Sequence, residues 1–377
     1  MSDKPVVVMP DPARLVEGLR DTGYQFNTAV ADVVDNSIAA DAENIAIELR
    51  MDRNGEISLK IFDDGYGITP KGLEDAMRYG AKARPSAASL GKFGLGLKTA
   101  STAFCRCLSV ISRADKQHEL VRATWDLDRI QREGQWNLYI TPPSAEQAAE
   151  FGRFVPGGVG TLVVWEKIDR LLKLFEKPTG KPAQKAMDGF RSDLYRHLAT
   201  IYQRFLDPND TRARTVNLTL NGERVLPWDP FCEQEVKPAK QQTLPVAAGD
   251  VETSFTLRAF VLPRREEFST EQAAQAARIG NEEQGFYVYR ENRLIHGPTW
   301  LKMFAKEPHF SLMRVELSFD HQMDEAFQLD IRKSRIVLND DLRSRILEFI
   351  TPVRWTVKED YRSRKRLQNL LRTASTI

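Results

Sequence analysis

The stretch "AVADVVDNSIAADA", Ala29–Ala42, decides the fold. Ala29, Val30, Val33, Val34, Ser37 and Ile38 recur at the spacing of one helix face. Asp32 and Asn36 are four residues apart, so they share a second strip of the same helix. A carboxylate and an amide oxygen on one strip can activate a water and hold a hard cation such as magnesium. The same pattern, with Asp35 as a further acid, also describes a solvated helix flank. This stretch alone does not separate the two readings.

Downstream, "NIAIELRMD" and "EISLKIFDD" alternate in hydropathy and predict two strands, with Arg53-Asn54-Gly55 as the hairpin between them. The second strand runs into Asp63-Asp64-Gly65-Tyr66-Gly67. A carboxylate at a strand end can accept an amine hydrogen, and Gly65 and Gly67 would let a flat ring approach the backbone. A plain strand-to-helix turn reads the same way. A helix is predicted from Pro70, then a small, polar, mobile loop over Ala81–Ser89. "GKFGLGLKTAS", Gly91–Ser101, follows. Leu97 stands between Gly96 and Lys98, so the P-loop pattern is not met. Gly91, Gly94 and Gly96 lead into a helix whose N–H groups, with Lys98, favour an anion. A flexible hinge is the competing reading.

The remainder predicts strands at "RCLSVISR", "HELVRATWDL", "QWNLYITPP" and "GGVGTLVVWEKI". "PTGKPAQK" has the composition of a linker. Beyond it come a helix at "MDGFRSDLYRHLATIYQRFL", strands with turns at Asn221-Gly222 and Glu291-Asn292, and a long C-terminal helix containing Pro352. The expected organisation is α+β: a domain over 1–178, a second over 179–350, and a basic helical tail over 351–377.

Bulk properties narrow the function classes. The net charge of +2 excludes a whole-chain electrostatic footprint for nucleic acid. The tail is basic, which suits either phosphate contact or a solvated helix face. No apolar run reaches membrane-spanning length, and the N-terminus lacks the features of a secretory signal. Three cysteines in 377 residues suit a reducing, cytoplasmic setting.

Taken in order, the motifs carry a resemblance. An acid-Asn helix, two strands, D-x-G-x-G, a helix, a small-residue loop and a glycine-rich loop into a helix together resemble the GHKL ATPase superfamily. Its members include DNA gyrase B, MutL, the ninety-kilodalton heat-shock chaperones, histidine kinases and the MORC proteins. Within it, "VVDNSIAA", "GFYVYRENRLI" and "LNGERVLPWDPF" are most similar to MORC-type ATPases, in a minimal, prokaryotic form.

The resemblance implies a Bergerat-fold sandwich followed by an S5-like transducer domain, with ATP and Mg2+ as ligands. Asn36 would coordinate the magnesium, Asp63 would receive the adenine amine, and Gly65 and Gly67 would line the ring. Thr161 would help hold a water at the adenine. A lid from Ile68 to Gly96 would fold over the nucleotide, with Lys82 as a lid contact. Gly91, Gly94, Leu95, Gly96 and Leu97, with Lys98, would meet the phosphates. From the second domain Lys333, with Arg332 and Arg335 as competitors, would reach the terminal phosphate. Asp32 stands where the family's general base is usually Glu. The family's Asp after the Asn-x-x is Ala39 here, and Asp41 is given no role. The implied function is an ATP-operated switch that dimerises on ATP, in DNA surveillance or phage defence beside a nuclease or other effector, with DNA contact through the tail. The alternative is a nucleotide-dependent DNA-binding or scaffolding module with little hydrolysis. Histidine kinase activity is disfavoured, because no phosphoacceptor His precedes the first helix.

Overall fold

A computed structural model describes residues 11–21, 23–79, 90, 96–173, 179–248, 251–327 and 338–374. The chain divides into two compact units. The first comprises Met1–Leu198 and Arg214–Val225, the second Ala199–Ala213 and Leu226–Ile377. The expected break at 178 is therefore not where the compact units part, and a later segment returns to the first unit.

Unit 1 is built on an eight-stranded sheet. Its strands are β1 (Asn44–Met51), β2 (Ile57–Asp63), β3 (Cys105–Arg113), β4 (Val121–Asp126), β5 (Tyr139–Thr141), β6 (Gly160–Ile168), β7 (Asn217–Leu220) and β8 (Glu223–Arg224). They lie in the order β5-β4-β3-β6-β2-β1-β7-β8. All neighbours are antiparallel except β1 and β7, which are parallel. Asn221 and Gly222, both at positive φ, make the tight β7–β8 turn, as an Asn-Gly pair does most easily.

Helices α1 (Pro12–Arg20), α2 (Phe26–Ala39), α3 (Pro70–Met77), α4 (Gly96–Phe104), α5 (Leu127–Glu133), α6 (Ala145–Phe154) and α7 (Lys181–Ile201) accompany the sheet. Side chains alternate faces along each strand. Phe62, Ile111, Leu162 and Val164 turn to α6, where they bury Phe151. The opposite parity faces α2 and α4. There Trp165 meets Phe26 edge-on at 6.3 Å and stacks on Phe104. Helix α2 is buried at Phe26, Ala29, Val30, Ala31, Val33, Val34, Asp35, Ser37 and Ile38. A helix so widely covered is a core element, and the solvated-flank reading of this stretch does not hold. Its C-terminal turn is capped from the returning segment: Arg214 donates to the carbonyls of Ile38 and Ala42, both at 2.6 Å.

Unit 2 holds a five-stranded sheet of β9 (Lys240–Ala248), β10 (Val251–Val261), β11 (Gly285–Arg290), β12 (Arg293–Thr299) and β13 (Met313–Phe319), ordered β12-β11-β13-β10-β9. Short helices α8 (Gln203–Leu206) and α9 (Glu271–Ala276) join it, and α10 (Asp340–Ala374) is a single helix with Pro352 inside. One sheet face presents Leu257, Val288, Val315 and Leu317 to a core shared with Leu342, Ile346, Phe349 and Ile350 of α10. The other face carries buried charge. Glu316 pairs with Arg204 and Arg258, both at 2.8 Å, and with Arg212 at 3.3 Å. These cations hold its carboxyl below the usual range although burial opposes them.

Candidate functional site

The alternation that buries β2 and β6 also places the site. Asp63 ends β2 and pairs with Thr161 near the start of β6, which pairs in turn with Ser112 near the end of β3. All three have the parity that faces α2. Asp63 is 4 % exposed. Its Oδ2 accepts from Ser37 Oγ at 2.8 Å and its Oδ1 from the Gly65 N–H at 3.1 Å. Burial pushes its carboxyl up to about 6, against the pull of these two donors and of the Thr161 N–H, and with some help from the charge of Asp64. A carboxylate kept dry at a strand end, whose burial outweighs its donors, suits one more donor from a ligand.

Thr161 and Ser112 form a hydroxyl pair at 3.0 Å. Ser112 donates to the Gly160 carbonyl and accepts from the Ile68 N–H, both at 2.8 Å. Ile68 is thereby fixed through its backbone. The two glycines of D-x-G-x-G have a firmer reason than room for a ring. A Cβ on Gly65 would stand 2.5 Å from the Ala40 carbonyl oxygen. Gly67 has φ +62°, and its Cβ would stand 2.1 Å from the Arg113 carbonyl oxygen. The loop is pressed between the end of α2 and the end of β3, and only glycine fits.

On α2, Asn36 donates through Nδ2 to the Asp32 carbonyl at 2.8 Å, which makes its oxygen the end suited to accept or ligate. Tyr24 Oη donates to Asp32 Oδ2 at 3.1 Å. The first residue of α4 lies against the same carboxylate: a Cβ on Gly96 would stand 3.6 Å from Asp32 Oδ2. The structure thus brings Asp32, Asn36 and Gly96 together on one side, and Asp63, Gly65, Gly67, Ile68 and Thr161 on the other, joined by α2.

Lys98 lies differently from the expectation. It is buried, and its Nζ donates to the Ala76 carbonyl at 2.7 Å, in the last turn of α3. Trp125 Nε1 takes the neighbouring Met77 carbonyl at 2.8 Å. A helix C-terminus leaves carbonyls unpaired and favours a cation, which accounts for this direction. Leu97 lies in the first turn of α4 and its carbonyl accepts from Ser101. Lys82, Gly91, Gly94, Leu95, Arg332, Lys333 and Arg335 lie outside the described residues.

Sequence reasoning missed two residues. Ser37 was counted with the apolar face of α2, and that position on the buried face is what aims it at Asp63. Ser112 sits in an ordinary alternating strand. Only the pairing of β3 with β6 shows that it joins Thr161.

Comparison with known proteins gives a family-level likeness over the part of the chain that carries these residues. Residues 24–161 match the family model described as histidine kinase-, DNA gyrase B-, and HSP90-like ATPase. Over this stretch the chain is similar to the GHKL superfamily. Within it the likeness is to MORC ATPases. The chain is 26% identical over 239 residues to ATPase morc-1 of Caenorhabditis elegans, an alignment covering 53% of this chain and 27% of that protein. It is 39% identical over 77 residues to ATPase MORC2 of Homo sapiens, covering 19% and 8%. It is 30% identical over 100 residues to Protein MICRORCHIDIA 6 of Arabidopsis thaliana, covering 25% and 15%. The chain thus spans about a quarter or less of the length of these relatives. Among the described residues no helix is long and apolar enough to cross a membrane.

Proposed function

We propose that unit 1 binds and hydrolyses ATP with magnesium. The observation that carries this is Asp63, a buried carboxylate held by Ser37 and Gly65 beside the helix that bears Asp32 and Asn36. Asp63 accepts the adenine amine, and its burial, which outweighs its donors, favours that contact. The Thr161–Ser112 hydroxyl pair supports an ordered water beside it. Asn36 would hold the magnesium, which when bound supplies positive charge at the phosphates. Asp32 takes a proton from a water whose oxygen bonds to the terminal phosphorus as the bond to the ADP oxygen breaks. The first turn of α4, from Gly96, offers backbone N–H groups toward the same region.

Further parts of the reading rest on the resemblance. Unit 2 acts as an S5-like transducer in which Lys333, ahead of Arg332 and Arg335, reaches the terminal phosphate. ATP favours a closed homodimer, and hydrolysis reopens it. The likeness to MORC ATPases suggests a DNA-related role such as surveillance or phage defence in the cytoplasm, with DNA at the basic tail and a nuclease or other effector as partner. A second reading, a DNA-binding or scaffolding module with little turnover, is favoured by one observation: Asp32 is a methylene shorter than the Glu usual at this place.

The deciding experiment is ATP hydrolysis with and without DNA for wild type, Asn36→Ala and Asp32→Asn. Turnover is expected in wild type and lost by about 10²–10⁴-fold in Asp32→Asn, which still binds nucleotide. Nucleotide binding without turnover in wild type would leave the second reading. Chromatography with a non-hydrolysable analogue tests the dimer, and Lys333→Ala should weaken it.

A further inference from the structure

We propose that Tyr24 is a positioning residue for Asp32, and that this pair lets the chain use Asp as its base. The inference rests on the hydrolytic reading above. Tyr24 Oη donates to Asp32 Oδ2 at 3.1 Å. The phenol's own placement is secured locally. Gly23, at φ +69°, turns the chain just before it. Two residues on, Phe26 is buried and packs edge-on against Phe104 at 5.5 Å and Trp165 at 6.3 Å. Tyr24 therefore enters α2 from a fixed point and lays its ring beside the Asp32 turn. Helix α4 begins at Gly96, where an added Cβ would stand 3.6 Å from the same oxygen, Oδ2. The phenol and the start of α4 both approach Oδ2 of Asp32.

The chemistry explains why this contact matters here. Replacing Glu by Asp withdraws the carboxylate by about 1.5 Å of bond length. A base must hold its position within roughly 0.5 Å to act on a water. One oxygen fixed by a phenol O–H stops the carboxylate from rotating about Cβ–Cγ, so the other oxygen keeps one direction. The phenol only orients; it donates to Asp32 and transfers nothing. A Glu at this position would have its own extra torsion and reach, and would need the phenol less.

Three measurements test this. Tyr24→Phe should lower kcat by about tenfold or more, within the range a general base is worth, while affinity for a non-hydrolysable ATP analogue stays at the wild-type value. Asp32→Glu combined with Tyr24→Phe should recover most of the lost kcat. Wild-type kcat in Tyr24→Phe, or kcat and affinity falling together without recovery by Asp32→Glu, overturns the proposal. The third arm needs no turnover. In nucleotide-free protein carrying 3-fluorotyrosine, the Tyr24 fluorine resonance, assigned by its loss in Tyr24→Phe, should move on Asp32→Ala. A resonance that stays in place overturns the pairing. A wild type that binds no nucleotide, or Asp32→Asn with full turnover, refutes the hydrolytic reading instead, and the fluorine measurement still decides the pair.

Discussion

Asp63 occupies a place that disfavours its charge, and this has a measurable cost. Its carboxyl titrates at about 6 in the folded chain against an ordinary 3.8. The folded state therefore holds the proton more tightly than the unfolded state between those values. Stability falls as pH rises through that window, and the loss is complete above about 6. The ceiling is roughly 3 kcal/mol, taking about 1.4 kcal/mol per unit. Asp63→Asn should remove this pH-dependent loss. Thermal melts from pH 4.5 to 7.5 should show the variant gaining on wild type as pH rises, while ATP binding by the variant is lost. In wild type, ATP affinity should weaken as pH drops below about 6, because a protonated carboxyl is a poorer acceptor for an amine. Lys98 gives a second residue-scale expectation. If its amine serves as the cap of α3, Lys98→Met costs about 1–2 kcal/mol in urea melts and changes nucleotide affinity little. A large affinity loss with unchanged stability would restore the phosphate role.

At the scale of elements, the two kinds of glycine separate. Gly67→Ala combines a left-handed backbone with a collision at the Arg113 carbonyl. It should cost more than the roughly 1–3 kcal/mol of αL strain alone and strip soluble protein from expression. Gly96 starts a helix and has room for a methyl group. Gly96→Ala should melt no lower than wild type, and any loss should appear in ATP affinity. The same contrast shows how far the sequence carries. The β1–β2 hairpin, the Asn221-Gly222 turn and the α2 stripe were legible, because local spacing and turn chemistry determine them. The pairing of β1 with β7 was not, since its partners lie more than 150 residues apart and no local pattern announces it. Helices α5 and α6 were also unread. Of the candidate site, Asp32, Asn36, Asp63 and Thr161 were named from motif order. Ser37 and Ser112 were not, because a hydroxyl on a buried face looks like any small core residue until its neighbour is known. The contact of Lys98 with the last turn of α3 was not legible either, because it depends on the packing of α3 and not on the neighbouring glycines.

For the whole molecule, the buried charge in unit 2 is the feature most open to a stability test. Glu316 is enclosed by Arg204, Arg212 and Arg258. Glu316→Ala would leave these cations without their shared anion, at a cost of about 3–5 kcal/mol. A shift in the urea midpoint of unit 2, followed by its own tryptophans Trp228, Trp300 and Trp355, would report it. If the midpoint does not move, the network contributes less than its burial implies.

The returning segment has a consequence for biosynthesis. The chain leaves unit 1 after Leu198, comes back at Arg214, and departs again after Val225. Helix α2, which carries Asp32 and Asn36, receives its C-terminal cap from Arg214, and the sheet receives β7 from the same visit. On the ribosome, residues 26–39 emerge long before residue 214 exists. The candidate site around Asp32 and Asn36 must therefore wait, without the Arg214 cap and β7, while the first stretch of unit 2 is translated. Such a long-range closure makes for slow maturation. It also means that a stop codon or cleavage near 178 releases not a complete unit 1 but a sheet without β7 and β8 and an α2 without its Arg214 cap.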